Sequence, residues 1–460
     1  MKDIEKLIEN DEIFFCHMPW TMVYSEVTGN WQACCHAQEQ FELNIENTSP
    51  EEWMKSDQQN KLRKEMLDPN TKGEMINKVC KRCVKEERLY NESRRLRKLR
   101  NFKEGLYWPK HPYHQYAADI VKAVKLFDLT NEFEFEYRVL ETEVKIFGMQ
   151  CNLDCHMCHP RHSTTRQKTQ LENNLISEQV FRSSKKFIQE QVDEALKTYS
   201  SSVVRDEYKT DIEKLMDLAP YTFAVKIIGG EPLVMKKQYE YLQALIDSGD
   251  SKHISIKYQT NMAKLGIGKH RVVDFIPHFK KFFFTASIDS MGDAIEYCRR
   301  RTKWDELLQN IITVKKFPNV VVDVNSVMGF LSILRYYEFL EFMEDNKDLI
   351  DPIPSVYCLE YPPHLQVRNL PQKIKDDLIP KYEKWPDIQA MLKQPNDGFG
   401  TTAQRQQTFK YLLTQDEFYK GTKHEKNLFE VFPELEEYYK PEELGPGGQL
   451  RTIDLNYYQS

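Results

Sequence analysis

The stretch VKIFGMQCNLDCHMC, residues 144–158, decides how the rest of the chain is read. Its first six residues, VKIFGM, have the branched and aromatic character of a β-strand. The eight residues Cys151 to Cys158 carry three thiols, Cys151, Cys155 and Cys158, at CxxxCxxC spacing. Three close thiolates can bind three irons of a cubane and leave the fourth iron open to chelate a substrate or cofactor. A structural zinc site wants four closed ligands instead, and His156 or His159 is at hand to supply the fourth.

Outward from that stretch, β-rich runs alternate with helical ones. FAVKII (223–228), ISIKYQ (254–259), FFFTASI (282–288), VVVDVNSV (320–327) and SVYCLEY (355–361) are predicted strands. Amphipathic patterns between them predict helices after 232, around 270–278, over 293–315 and over 331–346. Six βα units imply an α/β fold with parallel strands joined by right-handed crossovers. Polar residues recur where the strands end. The second strand runs into Gly229-Gly230-Glu231-Pro232, the third into Thr260-Asn261, and the fourth into Ser287-Ile288-Asp289. Arg299 follows ten residues after Asp289, beside Arg300 and Arg301, which otherwise read as a helical surface charge run.

The cysteine motif and these strand ends, in this order, resemble the radical S-adenosylmethionine superfamily. The resemblance implies a partial (β/α)6 barrel over 143–365. It implies a 4Fe–4S cluster on Cys151, Cys155 and Cys158 that binds S-adenosyl-L-methionine. Gly229, Gly230 and Glu231 would then meet the cofactor's amino group, Thr260, Asn261, Ser287 and Asp289 its neighbouring polar parts, and Arg299 its carboxylate. Met262 and Ser290 stand where the superfamily carries glycine. The run 159–221 is longer than one crossover helix needs.

Residues 1–103 hold Cys16, Cys34, Cys35, Cys80 and Cys83. The pattern Cys16-x₁₂-Gly29-x₄-Cys34 with a distant Cys80-x₂-Cys83 resembles the SPASM and twitch auxiliary-cluster domains, in the subgroup that carries the module ahead of the barrel. It implies a second, auxiliary 4Fe–4S cluster on Cys16, Cys34, Cys80 and Cys83, with zinc fitting the ligand type equally. The basic run Lys81–Lys103 reads as a solvated helical face, with a phosphate-binding role as the alternative. Residues 104–142 read as a connector without clear period. Residues 366–460 read as a charged, mostly helical extension, with a flexible turn at Gly445-Pro446-Gly447-Gly448.

Composition sets the outer limits. A formal net charge of -6 gives no reason to expect nucleic acid as a partner. No apolar run reaches the roughly 18–20 residues of a membrane span. The start, MKDIEKLIENDEIFF, lacks the features of a signal peptide, so a cytoplasmic location is expected. Ten cysteines there read as metal ligands and buried thiols rather than disulfides, Cys298 and Cys358 being the buried, inert pair. The activity the resemblance implies is an oxidoreductase: reductive cleavage of S-adenosylmethionine to a 5′-deoxyadenosyl radical, then hydrogen abstraction from a substrate. That substrate is a peptide or protein side chain, or alternatively a small metabolite, phosphorylated or not. The electron donor would be a flavodoxin or ferredoxin. A non-catalytic iron–sulfur or zinc scaffold is the reading from another class.

Overall fold

The computed structural model describes residues 4–25, 29–37, 43–71, 73–108, 110, 114–145, 147–159, 162–172, 208–351, 354–393 and 400–440. Most of the long run after Cys158 and the turn at 445–448 lie outside them. Among the described residues the strands are β1 (Met22–Ser25), β2 (Trp31–Gln32), β3 (Leu140–Val144), β4 (Asp154–Cys155), β5 (Thr222–Ile227) and β6 (Ser255–Thr260). They continue with β7 (Gly266–Ile267), β8 (His270–Arg271), β9 (Lys281–Ser287), β10 (Arg299–Arg300), β11 (Val320–Met328) and β12 (Ser355–Cys358).

The central sheet runs β12-β11-β9-β6-β5-β3-β1-β2. Its six strands from β3 to β12 are parallel, lie in sequence order, and match the predicted series to within a few residues. The exception is the first. Of the described residues of VKIFGM only Val144 is in a strand, as the last residue of β3, which begins at Leu140. Its sequence, LETEV, puts Glu141 and Glu143 in the sheet, and a buried carboxylate is tolerated only when paired. Lys257 and Lys226, from strands more than eighty residues further on, pair them. Nothing local in the sequence announces those partners.

The amino-terminal region joins the same sheet, because β1 pairs in parallel with β3. The stretch read as a connector holds a helix, His114–Thr130, whose Ala117, Ile120, Val121, Val124 and Phe127 form one buried face. Further corrections concern the later helices. The one expected at 270–278 is two short 3₁₀ turns, and that over 293–315 is broken by β10 between Gly292–Cys298 and Trp304–Val314. No described helix is long and apolar enough to cross a membrane.

One sheet face is sealed and the other is not. On β9 and β11, Phe282, Phe284, Ala286, Val320, Val322 and Val324 are buried. The alternate positions are half-buried and mix polar Lys281, Thr285, Ser287, Asp323 and Asn325 with apolar Phe283, Val321 and Val327. A parallel sheet is ordinarily apolar on both faces. The polar face is therefore where this sheet meets something other than its own helices.

Candidate metal and cofactor site

Past β3 the chain loops over the sheet end and presents Cys151. The short strand β4 then pairs antiparallel with β10, setting Arg299 opposite Cys155 and Arg300 opposite Asp154. This ribbon brings Arg299 Nη1 to 3.9 Å from Cys155 Sγ. Cys158 closes a turn, its N–H donating to the Cys155 carbonyl at 3.0 Å. The Gly229-Gly230 pair is needed for packing: a Cβ at either position would collide with carbonyl oxygens of the loop Gly148–Gln150. Glu231 N–H donates to the Gln150 carbonyl at 2.7 Å, locking the two loops together.

Glu231 is buried. Its carboxylate accepts from Thr260 Oγ1 at 2.7 Å, Asn261 N at 2.7 Å and Leu233 N at 3.1 Å. Burial still outweighs these donors and pushes its pKa up to about 7. Asn261 spans toward the cysteine loop, with Nδ2 3.0 Å from Asn152 Oδ1 and 3.9 Å from Cys151 Sγ. Met262, at the position read as a missing glycine, takes a positive φ of 57° and buries its side chain fully.

A cavity of about 800 Å³ opens at this end of the polar face. Of the residues expected to hold the central cluster and its cofactor, every one lines it except Asp289. Asp289 is fully buried, accepts from Arg299 Nε and from Val327 N at 2.7 Å each, and fixes the guanidinium rather than facing the cavity. Arg299 and Arg300 are buried, so they are not a surface charge run. Cys358, read as buried, is exposed and lines the cavity. Burial and mutual repulsion raise the Cys151 and Cys158 thiols, Cys158 to about 12, so binding a metal must displace their protons. His156 packs against Tyr297 and Tyr411 and does not line the cavity; His159 does.

The carboxy-terminal extension supplies residues that sequence reading missed. Its helix Thr402–Tyr419 lies against the cysteine loop. Fully buried Arg166 donates to Asp154 Oδ1 at 3.0 Å, to Gln415 Oε1 at 2.8 Å and to the Tyr411 hydroxyl. Tyr411 and Tyr419 donate in turn to the His156 carbonyl and to Asp154 Oδ2. Arg300 pairs with Asp416.

In the amino-terminal region, Cys16, Cys34, Cys80 and Cys83 are electrostatic neighbours. The Cys80 thiol is raised by burial and then by the other three. Cys35, the thiol that Cys34 feels ahead of Cys16, also feels Glu143, Arg94 and Lys226 of the sheet side. Arg82, between Cys80 and Cys83, lines the central cavity and reaches to 3.9 Å from Glu360. Among the described residues, the group of three metal-ligating atoms drawn within 4.8 Å of one another is His36, Cys83 and Glu86.

Among solved structures the chain is similar to Streptococcus suis SuiB bound to S-adenosylmethionine, at 15% identity and a TM-score of 0.34 over 75% of this chain and 65% of that one. It is similar also to Streptococcus suis SuiB bound to precursor peptide SuiA, at 16% identity and a TM-score of 0.33 over 71% of this chain and 57% of that one. This chain thus spans less than two thirds of either solved chain, and superposition at that level fixes no correspondence between residues. No protein-family model matches the chain, and no curated protein compared with it matches either.

Proposed function

We propose that this chain is a radical S-adenosylmethionine enzyme, with its chemistry in the cavity between the cysteine loop and the polar sheet face. The observation that carries the reading is that the carboxylate of Glu231 and the guanidinium of Arg299, both beside the cysteine loop, line the same cavity as three thiols. Such a pair suits the ammonium and carboxylate of an amino-acid cofactor. The six sequential parallel strands support a partial barrel of that superfamily's kind.

A 4Fe–4S cluster fits the donor set. Tetrahedral zinc at a Zn–S distance of about 2.3 Å needs sulfurs about 3.8 Å apart. Cys151, Cys155 and Cys158 do not form a group within 4.8 Å, and His156 turns away. Cluster ligands, each on its own iron, sit further apart. Bound there, a reduced cluster would supply the electron that cleaves the cofactor's sulfonium and releases a 5′-deoxyadenosyl radical. The chain's own residues do the rest. Asp289 orients Arg299, while Thr260 and the Asn261 and Leu233 amides hold Glu231 in place. The substrate, a peptide or protein side chain, enters beside His159, Glu360 and Tyr361 and would give a hydrogen atom to the 5′-deoxyadenosyl radical, leaving 5′-deoxyadenosine and a substrate radical. A small metabolite is the second reading, favoured by Lys226 and Lys257 on the sheet below the cavity, which could meet an anionic group.

Cys16, Cys34, Cys80 and Cys83 are the proposed ligands of an auxiliary cluster, and Arg82 extends that segment into the central cavity. Their alternative is one divalent ion on His36, Cys83 and Glu86, which the closeness of those atoms favours.

Anaerobically reconstituted, dithionite-reduced protein is expected to release 5′-deoxyadenosine and methionine from S-adenosylmethionine, read by mass spectrometry. Cys155→Ala should abolish release. Undiminished turnover in that variant would overturn the proposal.

A further inference from the structure

Below the cavity, the polar sheet face carries charges that the cofactor site does not use. Strand register sets Glu143 beside Lys226, and Lys226 beside Lys257. Lys226 Nζ lies 3.1 Å from Glu143, and Lys257 Nζ donates to Glu141 at 2.7 Å. The helix Arg94–Tyr107 brings Arg94 to 4.0 Å from Glu143. Lys98, one turn further on the same helix face, has Glu141, Lys257, Arg94 and Lys226 as its charged neighbours. Among the described residues Lys98 makes no hydrogen bond or ion pair, and Arg94 Nε is buried without a partner.

Four cations thus face two carboxylates. The next carboxyl along the face, Asp323, is raised by burial toward its neutral form. Cations that served only the amino-terminal thiols would gather at Cys16, Cys34 and Cys80. The cations felt there are Arg94 and Arg95, while Lys98, Lys226 and Lys257 gather on the sheet side, where Cys35, outside the proposed ligand set, also feels Arg94, Lys226 and Lys98. Half-buried, unbalanced positive charge is costly until an anion joins it. Solvent still reaches the group, since the Arg94, Lys226 and Lys257 side chains are 22–26% exposed. Gln259, two residues beyond Lys257, lines the cavity, so the row sits about 7 Å below that wall.

We propose that Arg94, Lys98, Lys226 and Lys257 hold an anionic group of the substrate, a phosphate ester or a carboxylate, beneath the cavity that carries the three thiols. The inference deepens the function proposed above and rests on it: the anion anchors one end of a substrate whose other end reaches the cavity. Part of the basic run Lys81–Lys103 is then an inward-facing recognition surface.

Inorganic phosphate and acetate are the probes, titrated calorimetrically into full-length, cluster-reconstituted protein. Saturable binding is expected, weakened about tenfold in Lys98→Met, the weight of one charge-assisted hydrogen bond. Glu141, the carboxylate that Lys98 feels, keeps its hydrogen bond from Lys257 in this variant, so the substitution orphans no buried carboxylate. Wild-type protein gives a second readout, since phosphate should raise its melting temperature above that in chloride of equal ionic strength. Preference for phosphate would support a phosphate ester, and equal affinity for acetate a carboxylate. Absence of saturable binding by either anion, Lys98→Met binding within twofold of wild type, or binding only after the amino-terminal iron is stripped would each overturn the proposal. Anion binding without cofactor cleavage would leave this site standing and sink the radical reading. Cleavage without anion binding would do the reverse.

Discussion

Glu231 sits where two opposing effects nearly cancel. Three donors favour its carboxylate, desolvation disfavours it, and desolvation wins, leaving the pKa near 7. The folded value lies above the ordinary one of 4.5, so this group's contribution to stability is fully present below pH 4.5 and is lost as pH rises through about 7. A bound ammonium reverses the preference, because it pairs only with the ionised form. Cofactor affinity should therefore rise with pH, about tenfold per unit well below 7, and flatten above it. Equilibrium dialysis between pH 5.5 and 7.5 checks this, stopping before the cofactor's own amine deprotonates. Glu231→Gln should bind more weakly and without the slope. A wild-type affinity flat across that range would show that Glu231 does not meet the amine.

Among the elements, what sequence made legible was whatever is local. Thiol spacing, glycines, and five of the six parallel strands are written in a few consecutive residues. What stayed hidden depends on distant partners. The strand β3 looked like connector because its glutamates need lysines from β5 and β6. The helix Thr402–Tyr419 read only as part of a charged extension because polar Gln406, Thr408 and Gln415 are buried on its inward face along with apolar Phe409 and Leu412. That face receives Arg166, and so the extension holds the loop between Cys151 and Cys158 in place. Removing one member of a buried pair strands the other, at a cost of about 3–5 kcal/mol. Arg166→Met strands Asp154 and should lower unfolding free energy by about that amount in a urea titration. Tyr419→Phe, which removes one hydrogen bond to Asp154, should cost about 1–3 kcal/mol. Destabilisation under 1 kcal/mol in Arg166→Met would mean that the helix does not brace the loop.

At the scale of the whole molecule, two cysteine groups share one sheet. β1 ties the amino-terminal region to β3, and Arg82 carries the segment between Cys80 and Cys83 to the wall of the central cavity. If the two groups work together, their losses should be separable in a definite way. We group Cys34 with Cys16, Cys80 and Cys83, since Cys80 feels the other three thiols, whereas Cys35 feels Glu143, Arg94 and Lys226. Reconstituted protein should therefore hold about eight irons, four for each cubane. Cys34→Ala should keep about half and lose substrate conversion, yet still release 5′-deoxyadenosine, because that step needs only Cys151, Cys155 and Cys158. Cys35→Ala should keep both clusters and change stability modestly. Metal analysis with Mössbauer spectroscopy reads the counts. Four irons plus one zinc in the wild type, with the zinc lost in His36→Ala and Glu86→Ala, would replace the auxiliary cluster by the single ion that His36, Cys83 and Glu86 are close enough to hold. Loss of the second cluster in Cys35→Ala but not in Cys34→Ala would shift the ligand assignment by one residue and turn Cys34 toward packing alone.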